Sequence, residues 1–117
     1  MHEMSIALSL VEQLCRIAAE KHAVRITEVE VHCGVLRQVM PEALELAFSA
    51  VTEETVAAGA TLKIIEEGLV ARCRACGMEF ATGIDDYSCP GCQQADVAFV
   101  AGHDIVLTAV VCETADR

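Results

Sequence analysis

A chain of 117 residues, 54% of them hydrophobic, can bury one apolar core without disulfide bonds. Eight Lys and Arg against 18 Asp and Glu give a formal charge of −10, which repels phosphate backbones, so we expect no nucleic-acid partner. No apolar run approaches the roughly 18 residues of a membrane span, and no secretory signal pattern opens the chain, so we expect a cytoplasmic protein with no membrane partner.

The first predicted element is an amphipathic helix over residues 4–22. Apolar residues recur there at helical spacing, with polar residues on the other faces. We expect the apolar stripe to face the core and to bury the thiol of Cys15 within it. The stripe consists of Met4, Ala7, Leu8, Val11, Leu14, Cys15 and Ala18.

A half-buried strand is predicted next, over residues 26–34. Val29, Val31 and Cys33 alternate with charged or polar residues, as they do when one face of a sheet is buried. A second helix is then predicted to start at Pro41 and to end at Gly59. Its expected buried stripe is Leu44, Ala47, Phe48 and Val51.

Two further strands complete the predicted elements. One runs over residues 61–73 directly into the first cysteine pair, and the other covers residues 104–113. The last strand is apolar on both faces, so we expect it at the centre of a sheet or against another subunit.

These elements predict an α+β fold, with two helices packed on a small three-stranded sheet and an inserted zinc-ribbon module. The last strand follows the cysteine-rich insert yet completes the sheet, so the larger domain is expected to be discontinuous. We expect residues 1–70 and 101–117 to form that α+β domain, and residues 71–100 to form the zinc-binding domain.

Four cysteines occur as two Cys-x-x-Cys pairs, "CRAC" at 73–76 and "CPGC" at 89–92. Each pair forms a tight knuckle whose sulfurs converge, with Gly77 and Gly91 placed where a knuckle needs a permissive backbone. Two such knuckles supply four thiolates in the tetrahedral arrangement of closed structural zinc sites. The predicted zinc ligands are Cys73, Cys76, Cys89 and Cys92. A redox disulfide pair and a rubredoxin-like iron site are the alternatives, and the iron site would make the protein red.

The N-terminal "MHE" offers a chelate. The Met1 amine, the His2 amide nitrogen and the His2 imidazole can close fused rings around one ion, and the Glu3 amide nitrogen can add a fourth donor. Amide nitrogens must lose a proton to bind, which favours Ni(II) or Cu(II) over zinc. A solvated terminal histidine without a metal is the alternative.

Several segments together resemble the HypA/HybF family of nickel-insertion accessory proteins. They are the N-terminal "MHEMS", "GVLRQVMPEALELAF", "TEETVAAGATL", and the Cys-x-x-Cys pair ahead of Cys-Pro-x-Cys, and the resemblance covers nearly the whole chain. The closing "GHDIVLTAVV" departs from the family by being less charged.

The resemblance implies a nickel metallochaperone rather than an enzyme. It implies that Ni(II) is delivered to the precursor of the [NiFe]-hydrogenase large subunit, with the GTPase HypB as a partner and a monomer or homodimer as the state. His2 carries over as nickel ligand, completed by the Met1 amine and the Glu3 backbone, and the four cysteines carry over as ligands of a structural or regulatory zinc. The alternatives are a zinc-ribbon adaptor that acts only through protein contacts and a rubredoxin-like electron carrier.

Overall fold

The structure is a computed structural model that describes residues 2–83 and 85–114. Two helices and six strands form along these residues, and a short 3-10 turn, Val35–Arg37, follows the first strand. In chain order the helices and strands are α1 (His2–Lys21), β1 (Ala23–Gly34), α2 (Pro41–Thr52), β2 (Thr61–Glu67), β3 (Leu69–Cys73), β4 (Glu79–Thr82), β5 (Val97–Ala101) and β6 (Ile105–Thr114).

The strands form two three-stranded sheets. The first has the order β2-β1-β6, and the second has the order β4-β3-β5, in which β3 pairs antiparallel with both neighbours. The predicted α+β class, with two helices on a three-stranded sheet and an inserted cysteine-rich module, is confirmed. Strand β5 was not predicted, and it gives the insert a complete small sheet of its own.

The chain divides into two compact units. One contains Met1–Val31, Val39–Ile65 and Leu107–Arg117, and the other contains His32–Gln38 and Glu66–Val106. The functional division into residues 1–70 with 101–117 and residues 71–100 stays a prediction. Neither described helix combines the length and apolar character that a membrane crossing requires.

The core of the first unit is aliphatic around one aromatic ring. Helix α1 contacts α2, and Leu14, Leu44 and Phe48 are each at most 2% exposed. Ile26, Val29 and Val31 on β1 are buried to the same degree, which confirms the inward face predicted for that strand. Burial of each such side chain contributes about 1.5–3 kcal/mol to folding.

The predicted stripe of α1 is too wide. Met4 and Leu8 are 40% and 52% exposed, and Cys15 is exposed, so its placement in the core was wrong. The buried residues follow the narrower spacing Ala7, Leu10, Leu14 and Ala18. A helix that packs through a single seam buries only a narrow arc, and apolar residues on the flanks of that arc remain in water.

Helix α2 ends at Thr52, seven residues before the predicted Gly59. The Thr55 hydroxyl donates to the Thr52 carbonyl at 2.8 Å, and the Thr55 backbone N–H donates to the same oxygen at 2.9 Å. The Ala57 N–H in turn donates to the Thr55 hydroxyl at 3.1 Å. These local side-chain bonds replace the helical pattern and end the helix, as threonine does in turns.

The single strand predicted over residues 61–73 is two strands. It breaks at Gly68, where β2 ends in the first sheet and β3 begins in the second. The final strand, β6, lies at the edge of its sheet, so the central position predicted for it was wrong. Its alternative, contact with another subunit, stays a prediction. Val106 and Val111 on this edge strand are each 49% exposed.

Three glycines let backbone segments of the second unit cross closely. A Cβ on Gly34 would collide with the backbone of Gly102, and a Cβ on Gly102 would collide with the backbone of Gly68. Gly102 also has a φ of +80°, which glycine adopts without strain. The Gly34 N–H donates to the Asp104 carbonyl at 2.8 Å, and the Leu36 N–H donates to the Gly102 carbonyl at 3.0 Å, which fixes the crossing.

Candidate metal centres

The four predicted zinc ligands converge. The Sγ atoms of Cys73, Cys76, Cys89 and Cys92 all lie within 4.8 Å of one another. The Cys73–Cys92 and Cys76–Cys89 Sγ distances are 3.5 and 3.6 Å. A tetrahedral zinc with bonds of about 2.3 Å separates its sulfurs by about 3.8 Å, so this cluster has the size that a tetrathiolate zinc site requires.

Both knuckles close with the same backbone bond. The Gly77 N–H donates to the Cys73 carbonyl at 2.8 Å, and the Gln93 N–H donates to the Cys89 carbonyl at 2.7 Å. Gly77 has the positive φ expected of it, +80°, but in the second knuckle Gln93, not Gly91, takes positive φ, +65°. The sequence spacing could have identified both positive-φ positions, because each of these residues lies four positions after the first cysteine of its pair.

The electrostatics of the cluster favour binding of a cation. Backbone N–H groups of Cys92 and Gly91 lower the pKa of Cys89 to about 7. The Gln94 N–H also lowers the pKa of Cys92, but the neighbouring thiols and burial outweigh it and raise that pKa to about 12. The first cysteine therefore loses its proton readily, whereas deprotonation of a later one is opposed by the neighbouring sulfurs. A bound divalent cation removes that opposition because it neutralises the thiolates it holds.

The two arginines of the module are engaged locally. Arg72 Nε donates to a Glu79 carboxylate oxygen at 3.0 Å, and Arg74 Nη1 donates to Asp96 at 2.7 Å. A phosphate backbone would have to compete with these carboxylates for the two guanidinium groups. The expected absence of a nucleic-acid partner stays a prediction. Within residues 2–83 and 85–114, the four cysteines are the one group of three or more metal-ligating side chains that lies this close together.

At the other candidate site, His2 is the first residue of α1 and Glu3 lies in its first turn. The His2 side chain is 49% exposed, and its Nε2 lies 3.6 Å from a carboxylate oxygen of Glu3, whose side chain is 16% exposed. That same oxygen accepts a hydrogen bond of 3.1 Å from the Met40 backbone N–H. Met1, which carries the predicted amine donor, lies outside the described residues.

Sequence reasoning missed the contact with Met40. Glu3 and Met40 are 37 positions apart, and no local pattern indicates that they meet. The Met40 N–H, the Glu3 backbone N–H and the nearby His2 together lower the pKa of the Glu3 carboxyl. The carboxylate therefore stays ionised beside the imidazole. Because the first N–H groups of a helix have no partner within it, the amides of His2 and Glu3 are not committed to α1.

The sequence matches the family model described as "Hydrogenase/urease nickel incorporation, metallochaperone, hypA" over residues 1–112. The chain belongs to the HypA family. The family is one of nickel metallochaperones for hydrogenase maturation, and its members act as maturation factors.

Similar HypA proteins come from several organisms. The hydrogenase maturation factor HypA of Chlorobium limicola is 39% identical over 116 residues, covering 99% of this chain and 100% of that one. Those of Pelodictyon phaeoclathratiforme and Archaeoglobus fulgidus are 38% and 37% identical over 113 residues. Each of these two matches covers 97% of this chain, and they cover 97% and 99% of the respective relatives.

The fold also matches HypA structures. The solution structure of the Ni metallochaperone HypA from Helicobacter pylori aligns with a TM-score of 0.77 at 25% identity, covering 97% of this chain and 98% of that one. A second HypA solution structure aligns with a TM-score of 0.76 at 29% identity, covering 96% of each chain. These matches extend over both the helical unit and the cysteine module.

Proposed function

We propose that this chain is a nickel metallochaperone that binds Ni(II) at its N-terminus and delivers it to the precursor of the [NiFe]-hydrogenase large subunit. It acts in the cytoplasm without catalysing a reaction, with the GTPase HypB as a partner, as a monomer or homodimer. Membership of the HypA family supports the nickel cargo and the maturation role.

The nickel ligands we propose are the Met1 amine, the His2 amide and imidazole nitrogens, and the Glu3 amide nitrogen. The observation that carries the proposal is the 49% exposed His2 side chain at the very start of α1. A transfer protein needs such an open site, because a buried site would release its cargo too slowly. Five-membered and six-membered chelate rings with deprotonated amides favour a square-planar ion such as Ni(II).

We propose that Cys73, Cys76, Cys89 and Cys92 hold a resident zinc. When bound, zinc supplies structural stabilisation, because four thiolates leave no coordination position for water or substrate. The cysteines Cys73 and Cys89 are each 1% exposed and anchor the cluster in the module, while Cys76 and Cys92 face outward. The two metals are thus separated by ligand chemistry, with sulfur for zinc and nitrogen for nickel.

Nickel titration of protein with a native terminus tests the proposal. The comparison includes His2→Ala and a variant with one residue added before Met1, since both changes disrupt the chelate. We expect both to abolish tight nickel binding while zinc content stays at one per chain. A His22→Ala variant is the matched control, because His22 is an exposed histidine at the far end of the same helix.

Three results would contradict the proposal. Retained nickel affinity in both terminal variants would place the site elsewhere, and no nickel uptake by zinc-loaded wild type would leave the zinc-ribbon adaptor as the better description. A red protein with iron in the cysteine cluster would favour the electron carrier.

A further inference from the structure

An apolar groove lies between α1 and α2, next to the proposed nickel site. Its volume is about 270 Å³, and nearly all of its surface is hydrocarbon. Met4 and Leu46 provide its large side chains, and alanines let another chain approach the helix backbones closely. The groove is lined by Glu3, Met4, Ala43, Leu46, Ala47 and Ala50.

The groove is open to solvent. Leu46 is 74% exposed and Met4 is 40% exposed. Single exposed apolar residues are ordinary on protein surfaces, but a concave apolar site with exposed large side chains is typical of a place where a partner binds. Met40, the backbone partner of Glu3, is also 63% exposed.

The helix that forms one wall carries only negative charge. Glu42 and Glu45 lie on α2, and Glu53 and Glu54 follow it, whereas α2 contains no Lys or Arg. All four carboxylates are exposed, and within the described part of the chain no ion pair engages them. Glu42 is one turn before Leu46, and Glu53 is one turn after Ala50, so acids flank the groove at both ends.

Two of these acids lie at the end of α2 where the helix dipole disfavours negative charge. The C-terminal end of a helix carries partial negative charge, and a carboxylate there is unfavourable unless a cation is near. Glu53 and Glu54 immediately follow the last residue of α2, and its last turn holds no basic residue. A cation from outside the chain would relieve this repulsion.

We infer that this groove docks a basic amphipathic helix of the protein with which nickel is exchanged. Its apolar face contacts Met4 and Leu46, and its flanking Lys or Arg side chains pair with the acids beside α2. A second copy of this chain fits poorly, because each copy carries a formal charge of −10. Only the description of the occupant as a nickel-exchange partner rests on the proposed function.

Docking in this groove brings the partner to the metal. Glu3 lines the groove, and its carboxylate lies 3.6 Å from the His2 imidazole. A ligand carried at the end of the docked helix therefore arrives beside the proposed nickel donors. The groove holds the two proteins together during transfer, so the nickel site itself needs no large contact area.

Three synthetic helical peptides of about 18 residues test the inference. One has a Leu face flanked by Lys, the second replaces that Leu face with Ser, and the third replaces Lys with Glu. Binding to the full-length zinc-loaded protein is measured by fluorescence anisotropy at about 0.15 M salt, where long-range attraction is screened. We expect the Leu/Lys peptide to bind at least about tenfold more tightly than either of the others.

Ala50→Arg is the decisive variant, because it fills the groove and repels a basic helix. Its matched control is Ala19→Arg, at an exposed alanine of α1 outside the groove lining. We expect Ala50→Arg and Leu46→Ser to weaken binding of the Leu/Lys peptide about tenfold or more, and Ala19→Arg to change it less than about twofold. Nickel affinity should stay at the wild-type value in all three variants, which separates this test from that of the proposed function.

Several results would overturn the inference. Equal binding of the Ser-faced basic peptide would show that charge alone attracts it, and equal binding of the acidic peptide would remove the role of Glu42, Glu45, Glu53 and Glu54. Equal weakening by Ala50→Arg and Ala19→Arg would move the site away from the groove. A wild-type dimer in sedimentation that Ala50→Arg dissociates would assign the groove to self-association.

Discussion

The Glu3 carboxylate accepts a 3.1 Å hydrogen bond from the Met40 backbone N–H, and so connects the first turn of α1 to the residue that precedes α2. The same carboxylate oxygen lies 3.6 Å from the His2 imidazole. The start of α1 is therefore held in place next to the proposed nickel donors, while the imidazole itself stays open to solvent.

This contact predicts a pH-dependent contribution to stability. In the folded protein the pKa of Glu3 is lowered from its ordinary value of 4.5. The ionised carboxylate therefore contributes its full stabilisation above pH 4.5, and this stabilisation is lost as the pH falls through the lowered pKa of the folded state. Glu3→Gln should therefore lower the free energy of unfolding at pH 7, and the difference from wild type should shrink below pH 4.5. Urea unfolding of the metal-free wild-type and variant proteins at several pH values measures this difference.

Glu12→Gln is the control for that series, since Glu12 is exposed in the middle of the same helix. We expect its unfolding curve to follow wild type at each pH. A Glu3→Gln variant as stable as wild type at pH 7 would show that the Met40 contact does not stabilise the start of α1.

Loss of a proposed zinc ligand should unfold the cysteine module. Structural zinc in small modules supplies about 10–16 kcal/mol of apparent binding free energy, and Cys89 is buried within the cluster. Cys89→Ser should reduce zinc below one per chain and collapse the amide NMR dispersion of β3, β4 and β5. Signals from α1 and α2 should persist, because their core consists of other residues.

Cys15→Ser provides the contrast, because Cys15 is exposed on α1 and is not in the cluster. Its zinc content, measured by metal analysis, should equal that of wild type. A full zinc load in Cys89→Ser would mean that three cysteines suffice and that the site is not a tetrathiolate.

Removal of the one aromatic side chain at the centre of the helical unit should be costly. Phe48 is 2% exposed, so Phe48→Ala should lower the free energy of unfolding by about 3–5 kcal/mol through lost burial and a cavity. Leu46→Ala, two residues away but 74% exposed, should change it by less than about 0.5 kcal/mol. Chemical unfolding measures the free energy of unfolding of both variants. Similar losses in the two would contradict the assignment of Phe48 to the buried face of α2 and of Leu46 to its exposed face.

The close backbone crossing at three glycines predicts how well each of them tolerates substitution by alanine. Gly102→Ala should lower stability by about 3 kcal/mol or more, because the new methyl group meets backbone and the φ of +80° is strained for alanine. Gly34→Ala should also destabilise, since its Cβ meets the backbone of Gly102. Gly68→Ala should be tolerated, because its Cβ would meet nothing within 4 Å. Thermal unfolding ranks the three, and a tolerated Gly102→Ala would refute the close crossing.

Patterns that depend on near neighbours were readable in the sequence. The alternation of Val29, Val31 and Cys33 gave the buried face of β1, and Pro41 marked the start of α2. The spacing of the cysteine pairs predicted four converging sulfurs, because two Cys-x-x-Cys knuckles have few ways to share one ion. In each case the decisive geometry is set within a few residues.

The sequence by itself determined the fold class, the inward face of β1 and the four-cysteine cluster, since strand alternation, helix periodicity and knuckle geometry are local properties. Only the tertiary structure decided how narrow the buried face of α1 is, that the strand breaks at Gly68, and that Glu3 meets Met40. Those outcomes depend on which surfaces pack against each other. The local sequence around a residue such as Cys15 is the same whether that residue packs against a second helix or lies in water.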